Sequence, residues 1–397
     1  MTATAASVEG GTTLLASLRS ALERELPAAV GLRHRLHAAP DLSGAEGPTR
    51  DLLLAELAGV AGTVDPVGGT GALARVGGPG PAVGVRGELD ALAVTEETGV
   101  PWASNRPGRM HACGHDVHLA ALVALCRAVH ATPGTVPLVA MLQPREETYP
   151  SGARDIAESP LLRDHEITSI VGAHVQPTLA RGQVAATPGT VNAAADEFHL
   201  VVRGRGGHAA YPHLTSDPVL ALAHVVVALQ HVVSRDVDPT SSAVLGVSTL
   251  SAGSAPNVVP DEARASGTLR SMRPSIRDQV HTRLGEVADL VARAHNCRAT
   301  VEITRGEPVL DNDHALATRA GTFLTALGLT VSRPLTSFGA DDFSYLAEAL
   351  PGLMMFVGVD GGPQARLHSG RFLPGDEAVR DVALAMLAGY VAAADLG

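Results

Sequence analysis

Through its first half the chain alternates short, continuously apolar runs with helical patterns, and this rhythm limits the fold more than any other feature. The runs "PAVGVRG" (81–87), "VPLVAMLQ" (136–143) and "ITSIVGA" (167–173) lack polar alternation, as strands buried on both faces do. "TRDLLLAELAGV" (49–60), ahead of the first run, and "HLAALVALCRAV" (118–129), between the first two, carry the helical period. The pattern predicts an α/β fold with a larger mixed, mostly parallel sheet covered on both faces. Asp90 follows the first strand, Glu146 and Glu147 the second, and His174 the third. In open α/β sheets ligands bind beyond the carboxyl ends of the strands, so these groups are expected at one edge.

Near residue 187 the rhythm changes. "DEFHLVVRGRGG", "SAVLGVSTLSAG", "ARASGTLRSM" and "RATVEITRG" read as strands, with helices over "DPVLALAHVVVALQHVVS" and "IRDQVHTRLGEVADLVARAH". The order βαββαβ predicts an inserted α+β ferredoxin-like domain over 187–306, and a larger α/β domain made of 1–186 and 307–397. After 307 one more buried strand, "LMMFVGV" (353–359), precedes "PQARLHSG", which presents His368.

Composition removes several function classes. Net charge is −11 without a Lys/Arg run, and 3% of residues are aromatic, so neither a phosphate-binding groove nor a base-stacking platform is expected. Cys113, Cys126 and Cys297 are too few and scattered for a disulfide framework, which fits a reducing, cytoplasmic setting. Cys126, on an apolar helix, reads as a core residue. The start "MTATAASVEGGTT" lacks a secretory pattern and is read as a frayed end. "VLALAHVVVALQHVV" (219–233) is too short for a bilayer span and is read as a soluble helix, so no membrane association is expected. The glycine-rich "GGTGALARVGGPGP" (68–81) lacks a phosphate-loop signature and is read as a hairpin.

The densest chemistry lies in "MHACGHDVHLAA", where His111, Cys113, His115, Asp116 and His118 precede a buried helix. Side chains at i and i+2 share no helical face, so Cys113 and His115 can grip one ion only from a turned segment, which Gly114 permits. From this window alone, metal binding and a hydrogen-bonded polar loop are equally good readings. Taken as a set, Cys113, His115, Glu147, His174 and His368 are five metal-competent side chains, each at a loop next to an element of the same sheet. Together they suit zinc, manganese, cobalt or nickel, and five ligands exceed the need of one four-coordinate ion. Two ions with a shared ligand would use them all.

"RHRLHAAPDLSGAE" (33–46), "RGELDAL" (86–92), "MHACGHDVH" (110–118), "QPREE" (143–147), "GAHVQP" (172–177), "GRGGHAAYPH" (204–213), "APNVVPDEARASGTLRS" (255–271), "DDFSYL" (341–346) and "LHSGRF" (367–372) occur in this order. The chain resembles the dimetal aminoacylase/carboxypeptidase family, in particular its branch of hippurate hydrolases and indole-acetyl-amino-acid hydrolases. The similarity runs from about Gly31 to Ala392.

That resemblance implies an enzyme, a metal-dependent amidohydrolase that cleaves the amide bond of N-acyl-L-amino acids. It implies that Cys113, His115, Glu147, His174 and His368 hold two divalent metals, zinc or manganese first and cobalt or nickel next, with Cys113 where other branches use a bridging Asp. Glu146 would be the general acid/base; adjacent carboxylates in an extended segment project to opposite sides, so one can ligate while the other faces substrate. His208 matches the histidine that stabilises the oxyanion from the partner subunit's small domain, which implies a homodimer or a higher assembly of it. Asn257 and Arg270 resemble contacts to the substrate carboxylate, and Asp90 resembles the acid that orients a metal-bound imidazole. The blander readings are a surface acid for Glu146, a turn residue for His208, a local ion pair for Arg270, and ordinary loop residues for Asp116 and His118.

Three departures bear on pocket shape: Glu88 stands where the branch usually has Asp, Asp341 where it has Glu, and "TYPSG" replaces a more glycine-rich run. A dipeptidase or carboxypeptidase of the same family is the neighbouring alternative. A non-catalytic binding protein of the same fold, or a thiol hydrolase pairing Cys113 with His115 or His111, are alternatives of other classes.

Overall fold

The computed structural model describes residues 3–360 and 366–397, with side chains from Leu14 onward. Gly361 to Ala365, which include the start of the "PQARLHSG" segment, lie outside the described residues. The chain divides into two compact units, one of residues 1–189, 311–335 and 342–397, the other of 190–310 and 336–341.

The first unit holds α1 (Ala3–Ala38), α2 (Gly47–Glu56), β1 (Ala61–Val67), β2 (Gly71–Val76), β3 (Ala82–Glu88), α3 (His115–His130), β4 (Leu138–Gln143) and β5 (Ile167–Gln176). Its eight-stranded sheet runs β1-β2-β4-β3-β5, then the strands Gly352–Gly358, Gln183–Ala185 and Thr330–Val331. The central four strands, β4, β3, β5 and 352–358, are parallel, and β1 and β2 form an antiparallel hairpin at the edge. The residues 68–70 make the turn of that hairpin, as the glycine-rich run suggested. β2, β3 and β4 are buried at every position, which explains their unbroken apolar character.

Both faces of the sheet are covered. A Cβ on Gly172 would meet Phe343 of the helix Phe343–Ala349, whereas the next-door Val171 touches Gly389 of the C-terminal helix Glu377–Leu396. Neighbouring strand residues face opposite ways, so the two helices lie on opposite faces. The α3 helix is buried along nearly its whole length, and burying each of its leucines stabilises the unit by ~1.5–3 kcal/mol. One expectation is corrected at the N-terminus: the stretch read as a frayed end is helical from Ala3, continuous with α1, with Met1 and Thr2 outside the described residues.

The second unit carries the strands Ala194–Arg203, Ala243–Ala252, Glu262–Ser271 and Arg298–Arg305 and the helices Pro218–His231 and Pro274–Ala294. Its antiparallel sheet has the order 243–252, 262–271, 194–203, 298–305. Ala263, Ala265 and Leu269 face a core shared with Leu222, Val225, Leu229, Val280 and Leu284 of the helices. The 218–231 helix continues as a π-turn to Asp236, so the expectation that this segment is too short for a bilayer span is corrected: its 19 residues are long and apolar enough by length and composition alone.

Candidate metal centre

The carboxyl ends of parallel β3, β4 and β5 share one edge of the first unit, and the chemistry gathers there. β3 is followed by Asp90 and β4 by Glu146 and Glu147; β5 carries His174 near its end, and α3 begins at His115. Gly114 makes the turn into α3 at φ 82, and a Cβ there would lie 2.6 Å from Val175 Cγ2, so this position needs glycine. Two non-glycine residues adopt left-handed backbone at the same edge, Arg145 (φ 47) and His368 (φ 66). Such strain, about 1–3 kcal/mol each, persists only when surroundings enforce it. Arg145 is held by Glu46 Oε1 on its main-chain N–H (2.8 Å), by the Pro150 carbonyl on its Nε (2.9 Å) and by Asp155. The glutamate pair therefore leaves a fixed turn.

The five ligand candidates form one continuous set. Cys113 Sγ lies 3.4 Å from His174 Nε2, and Cys113, His115 and Glu147 offer atoms within 4.8 Å of one another. His368 Nε2 lies 3.3 Å from Glu147 Oε1, and Glu146 Oε2 is 3.8 Å from His115 Nε2. His115 Nδ1 donates to the Asp90 carbonyl (2.8 Å) and His174 Nδ1 to the Val175 carbonyl (2.7 Å). A carbonyl can only accept, so both rings carry hydrogen on Nδ1 and turn an Nε2 lone pair inward. Among the described residues His115 Nε2 is buried with no hydrogen-bond partner, while Glu147 Oε1 faces His368 Nε2. Imidazole, thiol and carboxylate turned toward one point fit divalent cations. Burial pushes the Cys113 thiol up, and the Glu147, Glu146 and Glu88 carboxylates push it further, so a thiolate here needs a cation beside it.

The same surroundings argue against a nucleophilic cysteine, which requires an electropositive setting. His111 is buried, neither ring nitrogen has a partner, and burial lowers its pKa to about 3, so it makes no dyad with Cys113. His118 is also spoken for. Its Nδ1 donates to Glu88 Oε2 (3.1 Å) and its Nε2 accepts from Val175 N–H (3.0 Å), which removes it from the alternative set of Glu88, His115, His118 and His174. Asp116 is paired with Arg33 (3.1 Å) and His37 (3.0 Å). Burial alone would raise its carboxyl, but His37 and Arg33 hold it well below the usual range.

Asp90 differs from the expectation in detail. Its main-chain carbonyl, not its carboxylate, orients His115; Oδ1 stays 3.7 Å from His115 Nδ1. The carboxylate is engaged by Ser43 Oγ (2.7 Å) and by the Glu147 main-chain N–H (2.9 Å), so it positions the glutamate instead. Residues not singled out from sequence support the edge from below: Asp342 accepts from Arg86 Nη2 (2.8 Å), Gln143 Nε2 (2.9 Å) and Ser151 Oγ (2.6 Å), tying β3 to β4. Charged residues inside the buried run "VRGE" were the available signal.

His208, Asn257 and Arg270 lie in the second unit. His208 is exposed on a two-residue strand opposite Val258, and its Nδ1 accepts from Ala210 N–H (3.1 Å), which leaves hydrogen on an outward Nε2. The Asn257 carbonyl accepts from Ala209 N–H (3.0 Å), so His208 and Asn257 are neighbours. Arg270 is half-buried on the strand face away from the helices, where its Nη1 donates to the Leu269 carbonyl (3.1 Å). Among the described residues no carboxylate pairs with it.

Comparison with known proteins places this geometry. The family model for peptidase family M20/M25/M40 matches residues 84–391. N-acetyl-L-cysteine deacetylase of Bacillus subtilis is 36% identical over 349 residues, covering 86% of this chain and 82% of that protein. IAA-amino acid hydrolase ILR1-like 4 of Arabidopsis thaliana is 37% identical over 365 residues, covering 88% and 81%. The crystal structure of a Bacillus subtilis protein described as a dinuclear metal binding peptidase of family M20 superposes with a TM-score of 0.82, at 26% identity over 93% of this chain and 98% of that one. The chain belongs to peptidase family M20/M25/M40 and is a metal-dependent hydrolase of linear amide bonds.

Proposed function

We propose that the protein is an N-acyl-L-amino acid amidohydrolase in which Cys113, His115, Glu147, His174 and His368 hold two divalent cations, zinc or manganese. The observation that carries this is the convergence of inward Nε2 lone pairs, a buried thiol and the Glu147 carboxylate at one point. When bound, the cations polarise the amide carbonyl and acidify a water toward pKa ~7. Glu146, beside His115 and partly open to solvent, takes the proton of that water and returns it to the leaving amine. Asp90 keeps Glu147 and His115 in place through its two oxygen types.

In this reading the inserted segment 187–306 is a lid and dimerisation domain and 1–186 with 307–397 the catalytic domain; the strand order supports the ferredoxin-like topology of the insert. His208 of the partner subunit donates its Nε2–H to the developing oxyanion, and Asn257 and Arg270 recognise the substrate carboxylate. Exposed Val219, Leu220 and Val227 on the 218–231 helix and Leu250 on the edge strand suit a homodimer contact. Three unpaired cysteines fit a cytoplasmic enzyme.

The relatives act, by name, on N-acetylcysteine and on indole-acetyl conjugates, so the acyl group is the open variable. A panel varying acyl group and amino acid separately, run after chelation and after zinc or manganese return, tests the reading. Hydrolysis should vanish with chelator and recover with metal. Glu146→Gln should lower kcat by about 10²–10⁴-fold or more with two ions retained; undiminished turnover would remove Glu146 from the proton-transfer role.

A further inference from the structure

Of the five ligand candidates, His368 is least held by regular structure. It sits in the irregular segment 366–376 with its side chain 53% exposed. Its later half is fixed by buried Phe372 and by Arg33 and His34 of α1, which meet Pro374 and Asp376; nearer His368 the hold comes from other contacts. His368 N–H donates to the Ala112 carbonyl (2.9 Å), the Gly370 carbonyl accepts from Glu97 N–H (2.7 Å), and Arg371 Nε pairs with Glu97 Oε2 (2.8 Å). A Cβ on Gly370 would collide with the Thr95 carbonyl, so the two backbones touch.

Thr95 and Glu97 belong to a long loop, 91–110, with no helix or strand of its own. Its ends are closed by a pair of hydrogen bonds between Leu92 and Met110 (3.0 Å each), so it departs from Asp90 and returns at His111, two residues before Cys113. Its far side is fastened to α1. Trp102, the only tryptophan, stacks flat on His34 (4.2 Å, 10°), meets His37 edge-on (4.9 Å) and lies 5.1 Å from the Arg33 guanidinium carbon. Asn105 N–H donates to the Ala38 carbonyl (2.9 Å), and Glu96 pairs with His37 (3.2 Å).

We propose that loop 91–110 is a strap for the metal centre: Trp102 anchors it on α1, and its other side holds the His368 segment in ligating reach of the Cys113 loop. Trp102 and Gly370 are then positioning residues, which never touch the reacting atoms. The inference rests on the dimetal reading above. Ordering an irregular segment costs about 1–2 kcal/mol per residue in backbone entropy, and a strap already docked removes part of that cost from metal binding. Linkage is reciprocal, so filling the centre should tighten the strap on α1. The ligands in β5 and at the start of α3 do not depend on it, so its loss should weaken one ion and spare the other.

The test is equilibrium dialysis of the metal-stripped full chain against zinc and against manganese, with tryptophan emission followed in parallel. The intact protein should take up two ions, and Trp102 emission should change as the weaker one binds. Trp102→Ala, which unpins the anchor, and Gly370→Ala, which wedges the grip, should each lower the affinity for one ion by about 10–100-fold, the range for residues that orient ligands. Trp102→Phe should retain both ions, because it keeps a stacking ring; urea midpoints separate this loss from general destabilisation. If the intact chain binds two ions and both alanine variants bind them equally well, the strap is refuted. An intact chain that binds no metal would instead refute the dimetal reading.

Discussion

Two clusters, one in each unit, set histidine beside carboxylate and end in opposite states. In the second unit Asp196 closes on itself. Its oxygens accept from Arg277 Nε (2.9 Å), His281 Nε2 (2.7 Å) and the Gly306 main-chain N–H (3.1 Å), and although burial opposes it, these donors lower its pKa to about 2. In the first unit His115 and His174 spend their Nδ1 donors on main-chain carbonyls behind them and turn Nε2 inward, toward Cys113 and Glu147. Residue type alone therefore does not separate an ion-pair network from a metal site. What separates them is whether every acceptor meets a donor supplied by the protein.

The comparison breaks most readily at Glu147. Glu147→Gln removes a carboxylate whose ion pair, among the described residues, is with the half-exposed His368 (3.3 Å). It should lower metal affinity by about 100-fold or more and nearly abolish hydrolysis, yet leave the metal-free protein within about 1 kcal/mol of wild type. Thermal melts with and without chelator check this crossover; a large loss of stability in the metal-free state would mean that Glu147 is an ordinary ion-pair partner. The reverse holds for Asp196. Asp196→Ala removes the buried carboxylate partner of Arg277 and should lower the urea-unfolding free energy by about 3 kcal/mol without changing metal content.

A smaller effect sharpens the same contrast through pH. Because Asp196 titrates near 2 when folded, below its ordinary 3.8, its stabilisation is present above about pH 4 and is lost as pH falls toward 2. Between pH 5 and 3 the wild type should lose more stability than Asp196→Asn, read from urea midpoints. Equal losses would show that the second-unit cluster contributes little.

The strands that build the metal edge, β3, β4 and β5, were legible because β3 and β4 are buried at every position and β5 from Ile170 to Val175. The five ligand candidates were legible for a related reason, since each follows or begins an element of that sheet. Their partners were not. His115 is oriented by a main-chain carbonyl, which leaves no trace in residue identity, and His118, three positions along the same helix, differs from His115 only in having both nitrogens occupied. Loop 91–110 shows no period at all, and its order comes from Trp102 meeting α1, a contact between residues some 60–70 positions apart. The helical start at Ala3 was missed because Gly10, Gly11 and two threonines weaken the local helical preference.

The most direct test is anomalous diffraction from crystals of the full chain grown with zinc or manganese. The account predicts two peaks ~3.5–4 Å apart at the carboxyl edge of β3, β4 and β5, with Cys113 Sγ, His115 Nε2, Glu147, His174 Nε2 and His368 all in coordination distance of one or both. Peaks absent from that edge, or a metal-replete structure in which Cys113 and Glu147 contact no ion, would contradict it.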